Sequence, residues 1–308
     1  MEQPGQYPDP AHTVAHISDP HLLAGGALQY GHVDTEARLT AALARLQRLS
    51  PAPQALVFTG DLADKAEPKA YLRLRELVEP AAEALGAQVV WVMGNHDERA
   101  AYASGLFDAV PGTDPEAPQD RVHDVAGLRI ISLDTTVPGW HHGELTGDQL
   151  GWLADVLATP AEHGTVLALH HPPIPVPMMR IAEIIELRDQ GPLAEVITGS
   201  DVRAVIGGHF HFTSYSTFAG VPVSVASATC YTSELAPDQR LLSGVDGHQA
   251  FTMLHLYADR VVHSVVPAVD APEVSGYGMD VQAPFEALTA AERFDLVSRK
   301  DSPLYTGE

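Results

Sequence analysis

Three apolar runs in this chain do not alternate with polar residues: Ala55-Leu56-Val57-Phe58, Val89-Val90-Trp91-Val92-Met93 and Val166-Leu167-Ala168-Leu169. Runs of this length and composition read as strands buried on both faces, as in a sheet covered from either side. Between them lie segments with apolar residues at helical spacing. Thr35 to Leu49 carries Leu39, Ala42, Leu43, Leu46 and Leu49, and a helix opened by Pro68 carries Tyr71, Leu72, Leu74, Leu77 and Val78. Further strands are expected at Val14 to Ser18, Leu128 to Leu133 and Val202 to Ile206, with helices over Thr146 to Leu157 and closing at Leu193 to Thr198. From Tyr215 onward the pattern is mainly β: Tyr215 to Phe218, Val221 to Ala226, Ala250 to Tyr257 and Arg260 to Val266. Strand–helix alternation followed by strands gives α/β units with added antiparallel strands.

Polar residues of metal-binding type stand where these strands stop. Asp19-Pro20-His21 follows the first, Gly60-Asp61 the second and Gly94-Asn95-His96-Asp97 the third; His170-His171-Pro172 and Gly207-Gly208-His209-Phe210-His211 follow two later ones. Ligands of open α/β sheets bind beyond the carboxyl ends of the strands, so five loops would converge on one rim. Asp-x-His and His-x-His put both side chains on one side of an extended turn. The glycines at 60, 94, 207 and 208 allow sharp turning or close approach. Asp19, His21, Asp61, Asn95, His170, His209 and His211 exceed what one tetrahedral site uses. They suit two ions bridged by a carboxylate, and ions about 3.5–4 Å apart serve in-line displacement at phosphorus. Carboxylate, imidazole and amide oxygen without thiolate suit Mn, Fe, Co or Zn.

In order and together, Asp19-x-His21, Gly60-Asp61, Gly94-Asn95-His96-Asp97, His170-x-Pro172 and Gly208-His209-x-His211 resemble the calcineurin-like metallophosphoesterase signature. The flanking stretches Phe58-Thr59-Gly60-Asp61-Leu62-Ala63-Asp64-Lys65 and Val223 to Tyr231 resemble the bacterial class III cyclic-nucleotide phosphodiesterases, to about residue 267. The resemblance implies a four-layer α/β/β/α sandwich of two mixed sheets. It implies one metal on Asp19, His21, Asp61 and His211, and a second on Asp61, Asn95, His170 and His209, with Fe and Mn favoured. It further implies a bridging hydroxide as nucleophile. His96 is then the proton donor and phosphate contact, and Asn95 a catalytic and substrate-binding neighbour. Asp97 joins the catalytic set as a partner orienting a histidine, and His209 and His171 are substrate contacts, although His171 could instead only pack beside Pro172. The expected reaction is hydrolysis of 3′,5′-cyclic nucleotides of the cAMP type; the alternative is a broader phosphodiesterase for 2′,3′-cyclic nucleotides or glycerophosphodiesters. Asp64 stands where purple acid phosphatases carry a tyrosine ligand, and Asp64-Lys65-Ala66 departs from the Asp-Arg-Gly stretch of protein Ser/Thr phosphatases, so both subclasses are disfavoured.

A formal charge of −22 repels polyanions, which argues against nucleic-acid polymers as substrates. A small monoanion still reaches a cationic centre, because exposed charges beyond about 8 Å are largely screened at physiological salt. A single cysteine, Cys230, excludes a disulfide framework and reads as a small buried hydrophobe. The N-terminus lacks a basic and an apolar signal region, and no apolar run approaches the roughly 20 residues that span a bilayer. The expectation is a cytoplasmic enzyme. Residues 1–10 read as a flexible lead-in, 11–268 as the metallophosphoesterase domain and 269–308 as an extension with one helix-like patch, Pro284 to Ser298. The subfamily resemblance suggests a homodimer through the late strands. His16, His255 and His263 read as structural, Lys65 as solvated, and His141-His142-Gly143-Glu144 as either a loop beside the site or a solvated turn.

Overall fold

The computed structural model describes residues 7–107, 114, 116–276 and 278–302. Residues 1–6 of the expected lead-in and 303–308 of the extension lie outside the described residues. Contacts divide the chain into two compact units, Ala11–Val269 and Asp270–Glu308 with Met1–Pro10.

The larger unit holds two sheets. In the first, β1 (His12–Ile17), β2 (Ala55–Thr59) and β3 (Gln88–Val92) run parallel, and β12 (Ala250–Leu256) and β13 (Val261–Pro267) add antiparallel on the β1 side. In the second, β5 (Leu128–Leu133), β6 (Thr165–Leu169), β7 (Val202–Gly207) and β9 (Val221–Val225) are parallel. Its antiparallel edges are β4 (Arg121–Val125) and β8 (Ser214–Phe218), and β10 (Thr232–Ser233) pairs with β11 (Gly244–Val245) as a separate ribbon.

The apolar runs are continuous because alternate residues enter different cores. Ala55 and Val57 join Val90, Val92, Ile130, Val166 and Ile206 in a layer shared by the two sheets. Leu56, Phe58 and Trp91 point the other way. They pack on α1 (Thr35–Leu46), α2 (Pro68–Leu85) and α3 (Arg99–Leu106) through Leu39, Leu43, Tyr71, Leu74 and Tyr102. On the far side Leu167, Leu169 and Val205 pack on α4 (Gly147–Leu157) and α5 (Gln190–Ile197). The layers are therefore helices, sheet, sheet, helices, the four-layer α/β/β/α sandwich of two mixed sheets.

Two elements between residues 94 and 127 escape the sequence pattern. β4 is a half-exposed edge, and α3 is a single short helix burying only Tyr102, Gly105 and Leu106. In the smaller unit, two helices replace the single expected patch: α6 (Met279–Ala287) and α7 (Ala290–Ser298). Thr289 starts the second one, its hydroxyl accepting from the Glu292 amide while the Glu292 carboxylate accepts from the Thr289 amide, a capping box. Among the described residues no helix is long and apolar enough to cross a membrane.

Candidate metal centre and active site

Asp19 and His21 follow β1, Asp61 follows β2, Asn95 and His96 follow β3, His170 follows β6, and His209 and His211 follow β7. The rims of both sheets meet there. The His170 ring donates from Nδ1 to the Thr59 carbonyl at 2.7 Å, and the His209 amide donates to the Asp19 carboxylate at 3.1 Å.

Five of these residues turn through positive φ: Asp19 at 51°, His21 at 44°, Asp61 at 49°, His209 at 74° and His211 at 59°. Left-handed backbone costs an L-residue roughly 1–2 kcal/mol, and it persists where the surroundings dictate it. The glycines serve a different need. Gly94 and Gly208 are not left-handed. A Cβ on Gly94 would overlap the amide and carboxylate of Asp61, and one on Gly208 would overlap the Ser18 hydroxyl.

The hydrogen bonds on the outer ring nitrogens assign each tautomer. A carbonyl or carboxylate only accepts, so the nitrogen facing it carries the proton. His21 Nδ1 donates to Asp64 at 3.0 Å, His211 Nδ1 to the Tyr231 carbonyl at 3.0 Å and His209 Nε2 to the Ile185 carbonyl at 2.9 Å. With His170 Nδ1 on Thr59, four rings then aim their remaining nitrogens inward. His21 Nε2 meets His211 Nε2 at 3.2 Å, and His170 Nε2 meets His209 Nδ1 at 3.2 Å and Asn95 Oδ1 at 3.1 Å. Lone pairs facing one another at such distances repel unless positive charge lies between them.

Carboxylates deepen that demand. Asp61 Oδ2 lies 3.3 Å from His21 Nε2, its Oδ1 lies 3.5 Å from His170 Nε2, and Asp19 Oδ1 lies 3.4 Å from His211 Nε2. Burial disfavours charge on His170, but Asp61 and Asp19 outweigh it and lift its pKa to about 9. Burial opposes protonation of His21 as well, and Asp61 and Asp64 raise it well above the ordinary imidazole range. His209 is pushed down to about 3 by burial and by His170. The donor set therefore fits cations: Asp19, His21, Asp61 and His211 bring one ligand atom each within 4.8 Å of the others. On the other oxygen of Asp61, His170 Nε2 lies at 3.5 Å and itself meets Asn95 Oδ1 and His209 Nδ1.

Two expected site residues turn elsewhere. The Asp97 carboxylate orients no histidine: it accepts from the amides of Leu62, Ala63 and Gly94 and from the Tyr71 hydroxyl at 2.8 Å. Four donors converge on it because it ties the Asp61 loop to the Asn95 loop and to α2, away from the cavity. His171 is fully buried between the Thr135 hydroxyl, 2.8 Å from Nδ1, and the His141 carbonyl, 3.1 Å from Nε2. Both of its nitrogens are engaged in holding the His141 loop, so it is no substrate contact. Cys230 is buried, and that burial pushes its thiol up.

His96 does face the cavity. Its Nδ1 donates to the Asp64 carbonyl at 2.9 Å, its ring stands edge-on to His21 at 4.7 Å, and its amide donates to Asp61 Oδ1 at 2.8 Å. Asn95 turns Nδ2 to His141 Nδ1 at 2.9 Å, which leaves Oδ1 for the centre. His141 lines the cavity too and was not among the expected site residues, its only signal being the His-His-Gly stretch after β5. The cavity has a volume of about 680 Å³. Its lining includes Met179, Ile181 and Ile185, and also Tyr30, Val33, Tyr231 and Val245.

The Calcineurin-like phosphoesterase family model matches residues 12–212. A cAMP/cGMP dual specificity phosphodiesterase of Mycobacterium tuberculosis is 54% identical over 297 residues, covering 96% of this chain and 92% of that protein. A protein of Rhodococcus erythropolis named a probable cyclic nucleotide phosphodiesterase is 47% identical over 296 residues, covering 96% of each. Among solved structures, a dimetal phosphatase from Danio rerio aligns with a TM-score of 0.61 at 18% identity, over 85% of this chain and 98% of that one, which shows the shared fold.

Proposed function

The chain belongs to the calcineurin-like phosphoesterase family, and on that premise we propose that it is a two-metal phosphodiesterase that hydrolyses 3′,5′-cyclic nucleotides. One observation carries the metal half of this reading: the two oxygens of Asp61 face different imidazoles, Oδ2 towards His21 and Oδ1 towards His170. A carboxylate placed in that way suits a bridge between one cation on Asp19, His21 and His211 and another on Asn95, His170 and His209. The likeness to the mycobacterial cAMP/cGMP phosphodiesterase, which spans nearly the whole chain, supports the substrate class.

When bound, the two cations neutralise the phosphodiester charge and lower the pKa of coordinated water towards neutrality. The remaining tasks fall to the chain's own groups. His96 keeps its Nδ1 proton on the Asp64 carbonyl, so Nε2 is the nitrogen left to exchange a proton. With the ring as the doubly protonated imidazolium, Nε2 would give its proton to the departing 3′ oxygen and leave the neutral Nδ1–H tautomer. Asn95 donates through Nδ2 to His141, which fixes the amide and aims Oδ1 inward. Asp64 in turn orients His21, and the Thr59, Tyr231 and Ile185 carbonyls orient the other three rings; such outer partners set tautomer and ligand basicity.

The nitrogen and oxygen donors suit Fe and Mn. On this reading the enzyme acts in the cytoplasm on a small diester rather than a polymer. Residues 11–268 form its catalytic domain, 269–308 an extension, and the late strands the contact of a homodimer.

The test compares kcat/KM of Mn-loaded protein on 3′,5′-cAMP, 2′,3′-cAMP and bis-p-nitrophenyl phosphate. Selective turnover of 3′,5′-cAMP is the expected result. Fast hydrolysis of the generic diester with poor turnover of both cyclic nucleotides would discard the cyclic-nucleotide reading and favour another small diester.

A further inference from the structure

One wall of the cavity contains a residue that its own turn disfavours. Gln29 and Val33 pair across a tight turn, with the His32 amide donating to the Gln29 carbonyl at 3.1 Å. The two central residues both have positive φ, Tyr30 at 51° and Gly31 at 74°. Turns of this kind favour Asn-Gly or Asp-Gly, because a bulky side chain at positive φ is strained. Tyr30 is nevertheless 72% exposed, so burial of its ring does not repay that strain. The ring instead lines the cavity beside Val33 and Val245.

The turn is also tied to the metal-type residues twice. Gln29 Nε2 donates to Asp64 Oδ1 at 2.8 Å, and the same oxygen holds His21. The Tyr30 ring stands edge-on to the Tyr231 ring at 5.5 Å, and Tyr231 lies 4.5 Å from the His211 ring. This contact with Tyr231 still leaves Tyr30 largely exposed, so its ring is not covered.

We propose that Tyr30 is the platform on which the nucleobase of the substrate stacks, with Tyr231 bracing it, so that Tyr30 determines preference for nucleotides over base-free phosphates. This rests on the cyclic-nucleotide reading above. Phosphate held at the Asp61 cluster leaves the base to reach a wall, and this wall offers an aromatic face held in a fixed place. Stacking of a base on an aromatic ring tolerates any base, so the platform distinguishes nucleotide from non-nucleotide more than adenine from guanine.

The turn supplies its own control. Tyr30→Asn removes the ring and puts the residue that the turn prefers in its place, whereas Tyr30→Phe keeps the ring. For Mn-loaded full-length protein, the inhibition constants of 5′-AMP and ribose 5-phosphate are measured against hydrolysis of bis-p-nitrophenyl phosphate. The expected result is that wild type and Tyr30→Phe bind 5′-AMP about 5- to 100-fold more tightly than ribose 5-phosphate, and that Tyr30→Asn brings the ratio close to one. A ratio in Tyr30→Asn that matches wild type overturns the platform. So does a wild-type ratio near one in protein that turns over 3′,5′-cAMP. A wild-type ratio near one with no turnover of 3′,5′-cAMP overturns the cyclic-nucleotide reading itself, and the platform with it.

Discussion

His96 and Asp97 are neighbours with different work to do. His96 contributes no ligand atom to the Asp61 cluster, and its ring lies along the cavity with one nitrogen held by a backbone carbonyl. His96→Ala is therefore expected to lower kcat by about 10²- to 10⁴-fold, the usual worth of a positioned acid, with metal content unchanged. Elemental analysis alongside steady-state kinetics checks this, and loss of metal would mean that His96 holds the centre together instead. Asp97 shows where reading by residue type runs out. Its place beside Asn95 and His96 makes it look catalytic, yet its carboxylate collects three amides and a tyrosine hydroxyl. Those donors come from Leu62, Ala63, Gly94 and Tyr71, and nothing in the spacing of these residues announces that they meet. His171 misleads in the same way: Thr135 and the His141 carbonyl, both distant in sequence, absorb its two nitrogens. The stretch holding His141 reads either as a loop beside the site or as a solvated turn, because an ordinary polar loop carries no further signal.

Turns after strands are the elements that make the site, and they depend on close approach as much as on composition. Gly94 lies against Asp61 so closely that any Cβ must displace the loop carrying the central carboxylate. Gly94→Ala is expected to cost about 1–3 kcal/mol in stability, as overpacking does, and to weaken metal binding. Denaturant midpoints and metal titration would show the two losses together; a variant as stable as wild type with full metal content would contradict the argument. Another link between elements gives a pH effect. Asp120 precedes β4 and accepts from the Asp134 amide after β5 at 2.7 Å and from Gln149 of α4 at 3.2 Å. Burial outweighs these bonds and raises its pKa from 3.8 to about 6. A carboxyl raised in the folded state binds its proton more tightly there than when unfolded. Its contribution is complete below pH 3.8 and is lost as the pH rises through about 6. Asp120→Asn should remove that part of the decline in stability between the two values, which unfolding at pH 4 and pH 7 would detect; an unchanged slope would contradict it. At this scale the strands were legible because their runs are long and apolar. β4 and α3 were not, since a half-exposed edge and a short helix leave a weak pattern.

For the whole molecule, the order of strand, turn and polar residue carried most of the architecture. Alternate residues of β2 enter two different cores, so one apolar run already implies layers on both sides of a sheet. What the order does not carry is how the two rims approach, since that depends on contacts such as His170 with Thr59 and His209 with Asp19. The net charge of −22 frames the chemistry rather than performing it. It disfavours polyanions, while the buried donors of Asp61 and its neighbours demand positive charge locally. On the proposed reading that centre would draw its ligands from both sheets, with Asp19, His21, Asp61 and Asn95 after strands of the first and His170, His209 and His211 after strands of the second. Asp61 is the group common to both halves. The most direct measurement is the metal content of folded wild type and Asp61→Ala after loading with Mn and removal of free ion. Two ions per chain in wild type and none firmly held in the variant is the expected result. One ion still bound at full occupancy in Asp61→Ala would contradict the bridging carboxylate, and the two-metal account with it.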